Sequence, residues 1–169
     1  MNIVLKAIQF ADKKHEGQTR KGSGEKYITH PVAVSYLVAS YKKSKRLDEL
    51  LAAAILHDTL EDTDTTFVEI AIEFTPLIAG LVYELTNDEV SLKKLGKLEY
   101  HKRKLCGISS YGLVIKLADR LHNVSDHPTA KMVIDTIELM QHLVSERKLS
   151  KTHSKMITEI LSICYEKTL

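Results

Sequence analysis

The sequence predicts an all-α fold, and three observations predict it. Apolar residues recur at helical spacing along most of the 169 residues, and no convincing run of alternating β-type residues interrupts them. Glycine (7) and proline (3) are too scarce for a turn-rich β-sandwich of this length. The three prolines also fall where helices should begin or break, at Pro31, Pro76 and Pro128.

The elements follow in order. Residues 2–15 place Ile3, Ala7, Ile8 and Ala11 at helical spacing. The string GQTRKGSGEKYITHP then holds three of the seven glycines and reads as a loop. Pro31 suits the first turn of a helix, where its missing N–H costs nothing, so a second helix is expected over 31–41. LDELLAAAILHDTL, residues 47–60, reads as a strong third helix. Asp64, with Glu69 soon after, starts a fourth, and Pro76 separates it from a fifth over 76–86. A charged helix is expected around 89–105, ended by Cys106-Gly107, and an apolar one over 110–125. Pro128 begins another that runs to about 147, and 151–167 closes the chain. That last segment carries Met156, Ile157, Ile160, Leu161 and Tyr165, more apolar surface than a solvated tail needs, and is expected to pack on a core. The total is eight or nine helices in a single domain over 1–169.

Composition narrows the function classes. Hydrophobic residues make up 44% and charged residues 27%, which argues against disorder. The 24 Lys+Arg against 22 Asp+Glu leave a net charge of +2, too small a field to draw the chain to nucleic acid or membrane. No apolar run approaches the ~18 residues that span a bilayer, and MNIVLKAIQF lacks the pattern of a secretory leader, so a cytoplasmic location is expected. Cys106 and Cys164 are too few and too far apart for a disulfide framework or a zinc knuckle.

Polar residues break the helical pattern in three places. In the third helix the apolar stripe Leu50, Ala53, Ala54 continues into His57 and Glu61. The overlapping stripe Leu51, Ala54, Ile55 continues into Asp58 and Asp62. Burying several carboxylates is costly unless they are paired or bound to a cation. On this string alone, an end that emerges into solvent explains the acids equally well. In the later helix Ile115, Asp119 and Asn123 share one side at i, i+4, i+8, where pairing of Asp119 with Arg120 or Arg103 is the simpler account. His30 stands just before Pro31. Taken together, His30, His57, Asp58 and Asp119 supply two imidazoles and two carboxylates. Mixed N/O sites of that kind suit Mn²⁺, Fe²⁺ or Zn²⁺, and the absence of thiolate disfavours a structural zinc site. Arg20 and Lys21 lie in the loop ahead of His30, as a phosphate-gripping guanidinium and ammonium or as solvated loop cations. His15, His101 and His122 are expected at the surface or behind the ligands.

These residues fit a known pattern. The strings AIQFADKKHEGQTRKGSGEKYITHPVAV, AAAILHDTLEDTDTTFVEIAIEF, LVYELTND and IKLADRLHNV, in this order, resemble the HD phosphohydrolase superfamily. Within it they are most similar to the hydrolase domain of RelA/SpoT-type enzymes and to the free-standing small alarmone hydrolases. The resemblance implies an HD-domain helical bundle. It also implies a Mn²⁺-dependent hydrolase, with one divalent ion per chain, that removes pyrophosphate from the 3′ position of guanosine tetra- or pentaphosphate. By motif, His30, His57, Asp58 and Asp119 look like the metal ligands, and Glu61 and Asp62 like the acidic pair that handles the attacking water. Arg20, Lys21 and Asn123 look like nucleotide contacts. Two other readings stay open here: a related hydrolase acting on another nucleotide, and a non-catalytic alarmone sensor.

Overall fold

In a computed structural model that describes residues 2–168, every regular element is a helix. The helices are α1 (Ile3–Lys14), α2 (Thr29–Tyr41), α3 (Leu47–Leu56), α4 (Thr59–Asp62), α5 (Phe67–Glu73), α6 (Pro76–Leu85), α7 (Glu89–Leu95), α8 (Lys97–Gly107), α9 (Ser110–Ser125), α10 (Ala130–Glu146) and α11 (Lys151–Glu166). The expected all-α class is present. Two of the nine expected segments are each divided, 47–60 into α3 and α4, and 89–105 into α7 and α8. The second division has a simple cause. Gly96 has φ 79° and ψ 155°, a conformation open essentially to glycine alone, and it ends α7 while starting α8.

The chain divides into two compact units, Met1–Thr86 and Asn87–Leu169. In the first, α3 is the central element, packed against α1, α2 and α6. Leu50, Ala52, Ala53, Ala54, Ile55 and Leu56 are all buried, as are Ala7 and Ala11 of α1. Side chains this small let helix backbones approach closely, so α3 accepts a neighbour on nearly every side. An Asn2 side chain caps α1, Thr66 caps α5 and Thr75 caps α6, each accepting from a first-turn N–H.

In the second unit α9 packs on α11, and α10 packs on α8, α9 and α11. Leu113, Val114, Ile115, Leu117, Ala118, Leu121 and Val124 bury one broad face of α9. Met156, Ile157, Ile160 and Cys164 of α11 are buried, so the last helix does belong to a core, although Tyr165 is exposed. Buried His153 closes a capping box with Ser150 and reaches the Ser110 carbonyl, 3.0 Å from Nε2.

Because α3 supports the first unit, Leu50→Ala should lower stability by about 2–5 kcal/mol, the usual loss for a large-to-small change at a fully buried site. Urea unfolding followed by circular dichroism checks this; a loss below about 1 kcal/mol would mean that α3 is not the core element.

Candidate metal centre and active site

The site begins where α3 stops. The pattern LDELLAAAILHDTL reads as one helix, but the α-helical ladder breaks at His57 and Asp58, which form a two-residue turn before α4. Side chains take over the carbonyls that the ladder releases. His57 Nδ1 lies 2.7 Å from the Ala54 carbonyl, the Thr59 hydroxyl donates to Leu56 O at 2.7 Å, and the Thr63 hydroxyl donates to Thr59 O at 2.6 Å. The expected i, i+4 stacking of Glu61 on His57 along one continuous helix is therefore corrected. Glu61 and Asp62 start a new turn instead, their N–H groups donating to Asp58 O at 3.1 and 2.9 Å.

The break fixes the chemistry of His57. A backbone carbonyl can only accept, so Nδ1 carries the hydrogen, and in the neutral ring Nε2 carries the lone pair. That Nε2 lies 3.0 Å from Asp58 Oδ2. His30, in the first turn of α2, brings its own Nε2 to 3.7 Å from the same oxygen. The two rings meet edge to face with centroids 5.3 Å apart, and the exposures of His30 and His57 are 1% and 0%. Two buried imidazoles thus converge on one carboxylate oxygen. A donor set of two nitrogens and a carboxylate, with the tautomer of one ring held by a backbone carbonyl, fits a divalent ion.

Around this centre the loop is ordered by its own backbone. Tyr27 N donates to Gln18 O at 3.0 Å and Arg20 N to Glu25 O at 2.8 Å, closing a turn that presents half-buried Arg20 and exposed Lys21. The Tyr27 hydroxyl donates to Asp58 Oδ2 at 2.5 Å and lies 3.4 Å from Asp62 Oδ2. The Asp62 carboxyl is pushed above the ordinary carboxylate range, first by desolvation and second by the Asp58 charge; Tyr27, His15 and His57 pull it the other way. Glu61 is exposed on α4. In the second unit, half-buried Asp119 and Asn123 are joined one turn apart on α9, the Asn123 amide donating to Asp119 Oδ1 at 2.6 Å.

Of the two places expected for His15, the surface or behind the ligands, the structure excludes the surface: it is 3% exposed and lies against Tyr27, and Gln18 connects it to the end of α4. Sequence reasoning missed one feature. The second unit holds a cavity of about 160 Å³ lined by Lys97, His101, Arg120 and Lys131 together with Asp135, which pairs with Lys131 at 3.0 Å, so the hollow is predominantly cationic. Its members are spread over more than thirty positions, and no motif announces them.

The domain model described as the HD domain matches residues 7–137. The chain belongs to the HD-domain family. Membership implies a divalent metal ion, for which His30 and His57 of the first unit offer ligand atoms. This HD-domain protein is 36% identical over 125 residues to guanosine-3′,5′-bis(diphosphate) 3′-pyrophosphohydrolase MESH1 of Danio rerio, covering 73% of the chain and 68% of the relative. It is 37% identical over 124 residues to the protein of the same name from Homo sapiens, with 73% and 68% covered. A guanosine-3′,5′-bis(diphosphate) 3′-pyrophosphohydrolase of Aquifex aeolicus is 39% identical over 130 residues, which are 72% of this chain and 17% of that one. The solved structure of a metazoan ortholog of SpoT that hydrolyzes ppGpp superposes with a TM-score of 0.79 at 25% identity, covering 99% of this chain and 96% of the other.

The cationic hollow generates a pH prediction. Burial, followed by the charges of Arg120, Lys116, Lys97 and Lys104, lowers the pKa of His101 to about 4. The unfolded histidine titrates near 6.5, so on acidification the unfolded chain takes up this proton first. Stability is therefore lost as pH falls from about 6.5 to about 4, and no term arises above that window. His101→Gln, which cannot titrate, should gain on the wild-type protein across that window. Urea unfolding at pH 7, 5.5 and 4.5 checks it; a constant difference between the two proteins would refute the assignment.

Proposed function

We propose that this HD-domain protein is a Mn²⁺-dependent hydrolase that converts guanosine 3′,5′-bis(diphosphate) to GDP and pyrophosphate, and the pentaphosphate to GTP. The observation that carries the reading is the convergence of His30 and His57 on Asp58, in a chain 36–37% identical over 73% of its length to relatives that bear that activity as their name. Residues 1–169 act as one hydrolase domain in this reading, with His30, His57 and Asp58 from the first unit and Asp119 from the second as the ligands of one ion. The substrate is a small nucleotide. In this reading the protein needs neither nucleic acid nor membrane; its net charge is +2, and no helix among the described residues is long and apolar enough to cross a membrane. Its place is the cytoplasm.

When bound, a divalent ion supplies a Lewis acid that polarises a phosphoryl oxygen and makes hydroxide available near neutral pH. The rest is done by this chain. Ala54 O holds the His57 ring in its ligating tautomer, and Asn123 steadies Asp119 through the bond to Oδ1. Glu61 and Asp62 orient the attacking water and take its proton; a carboxylate held above the ordinary range, as Asp62 is, accepts a proton more readily. The water oxygen bonds to the 3′-phosphorus, the bond from that phosphorus to the ribose 3′ oxygen breaks, and the 3′ oxygen receives a proton as pyrophosphate leaves. Arg20 and Lys21 offset the charge of the phosphates, and Asn123 also faces the ribose–phosphate side.

The deciding experiment is incubation of purified protein with guanosine 3′,5′-bis(diphosphate) and Mn²⁺, products being resolved by anion-exchange chromatography against a chelator control. GDP and pyrophosphate in equal amounts are expected, and release only from another 3′-phosphorylated nucleotide would replace the substrate. Glu61→Gln should keep its metal and lose turnover by about 10²–10⁴-fold; full activity would remove Glu61 from the reaction. Asp119→Asn should lose metal, read as Mn per chain by elemental analysis, and unchanged stoichiometry would take Asp119 out of the ligand set.

A further inference from the structure

The carboxylate of Asp58 faces two imidazoles, and a carboxylate on a single rotor needs something to fix its plane. The Tyr27 hydroxyl does so, donating to Oδ2 at 2.5 Å. We infer that Tyr27 is a positioning residue, whose hydroxyl holds Asp58 in the orientation that receives a divalent ion. The inference rests on the metal-dependent reading above.

Four observations carry it. First, an ionised carboxylate oxygen has more than one lone pair, so Oδ2 can accept from Tyr27 and still present electron density toward His57 Nε2 and His30 Nε2. Second, the same hydroxyl stands 3.4 Å from Asp62 Oδ2, so it lies between the proposed ligand and one of the two acids proposed to handle water. Third, the Tyr27 ring is itself confined. His15 lies against it with centroids 4.6 Å apart, and His30 meets it edge to face at 5.8 Å. Fourth, the support behind the ring is fastened at both ends. His15 Nδ1 is 2.8 Å from Gln18 Oε1, Gln18 Nε2 donates to the Asp62 carbonyl at 2.7 Å, and Tyr27 N donates to the Gln18 carbonyl. His15 and Gln18 therefore tie the glycine-rich loop to the end of α4, and Tyr27 reaches across that tie to Asp58.

The consequence is preorganisation. A ligand already in place loses little rotamer freedom when the ion arrives, and partners that orient metal ligands typically account for 10–100-fold in affinity. Tyr27→Phe removes the hydroxyl and keeps the ring against His15. Its affinity for Mn²⁺, measured by isothermal titration calorimetry and by competition with a fluorescent chelator, should fall 10–100-fold while the helical circular dichroism is retained. An affinity loss of less than tenfold, at a temperature where both proteins are folded, would overturn the inference, even if the metal-free melting temperature had dropped. A residue that only props up the loop would give that second result. Should Tyr27→Phe fail to fold, Tyr27→Met is judged by the same tenfold threshold. Hydrolysis is read separately. Wild-type protein that binds Mn²⁺ but leaves guanosine 3′,5′-bis(diphosphate) intact, with binding weakened by Tyr27→Phe, would end the substrate reading and support this one. Wild-type protein that binds no divalent ion would overturn both.

Discussion

The first unit is organised by one electrostatic constraint, a carboxylate set against two buried imidazoles. Asp58 Oδ2 lies within 3.0 and 3.7 Å of two ring nitrogens on side chains almost wholly withdrawn from water. Taking such groups out of water costs several kcal/mol per charge unless each lone pair and proton is answered. The local structure supplies those answers. Ala54 O takes the His57 Nδ1 hydrogen, the Tyr27 hydroxyl takes one side of Asp58, and a divalent ion matches what remains.

The same constraint explains why α3 ends where it does. A helix continued through His57 would give its carbonyls to backbone N–H groups and leave the histidine ring to find another donor or acceptor. By stopping at Leu56, the chain gives Ala54 O to the ring, Leu56 O to Thr59 and Thr59 O to Thr63. No carbonyl in that series is left buried without a hydrogen, and the ring is oriented in the process. Capping and ligand orientation are thus one event. The buried alanines upstream serve it too, since they hold α3 rigidly against its neighbours and deliver His57 to a fixed place.

Much of this was legible in the sequence, and the failures are instructive. Residues 110–125 and 151–167 emerged as helices almost to the residue, because each is long, strongly periodic and preceded by a serine cap. His57, Asp58, Asp119 and Asn123 could be picked out because polar side chains interrupt apolar faces, and His30 only in company with them and through the family motif. The break at His57 was not legible. HDTLED satisfies helical spacing equally well whether the ladder runs through or stops, and only tertiary contacts distinguish the two. Gly96 was hidden for a related reason: a lone glycine in a charged helix is tolerated, and its left-handed φ is visible only in three dimensions. The cationic hollow was invisible because Lys97, His101, Arg120 and Lys131 come from α8, α9 and α10, which meet through packing that no local pattern encodes.

The two proposed carboxylate ligands are handled in the same way, although they stand in different units. Tyr27 O–H donates to Asp58, and Asn123 N–H donates to Asp119. Both donors are neutral, and the choice has a physical reason. A lysine or arginine in either place would fix the carboxylate at least as firmly, through a stronger charge-assisted bond. It would also neutralise the charge that attracts a divalent ion and would repel that ion directly. A phenol and an amide restrict rotation while leaving each carboxylate its full negative charge. Arg20 and Lys21, the cations proposed to meet the phosphates, stand instead in the loop ahead of α2. Such a division of labour, neutral donors on the proposed ligands and loop cations for the phosphates, is what the proposed metal and polyphosphate site would need.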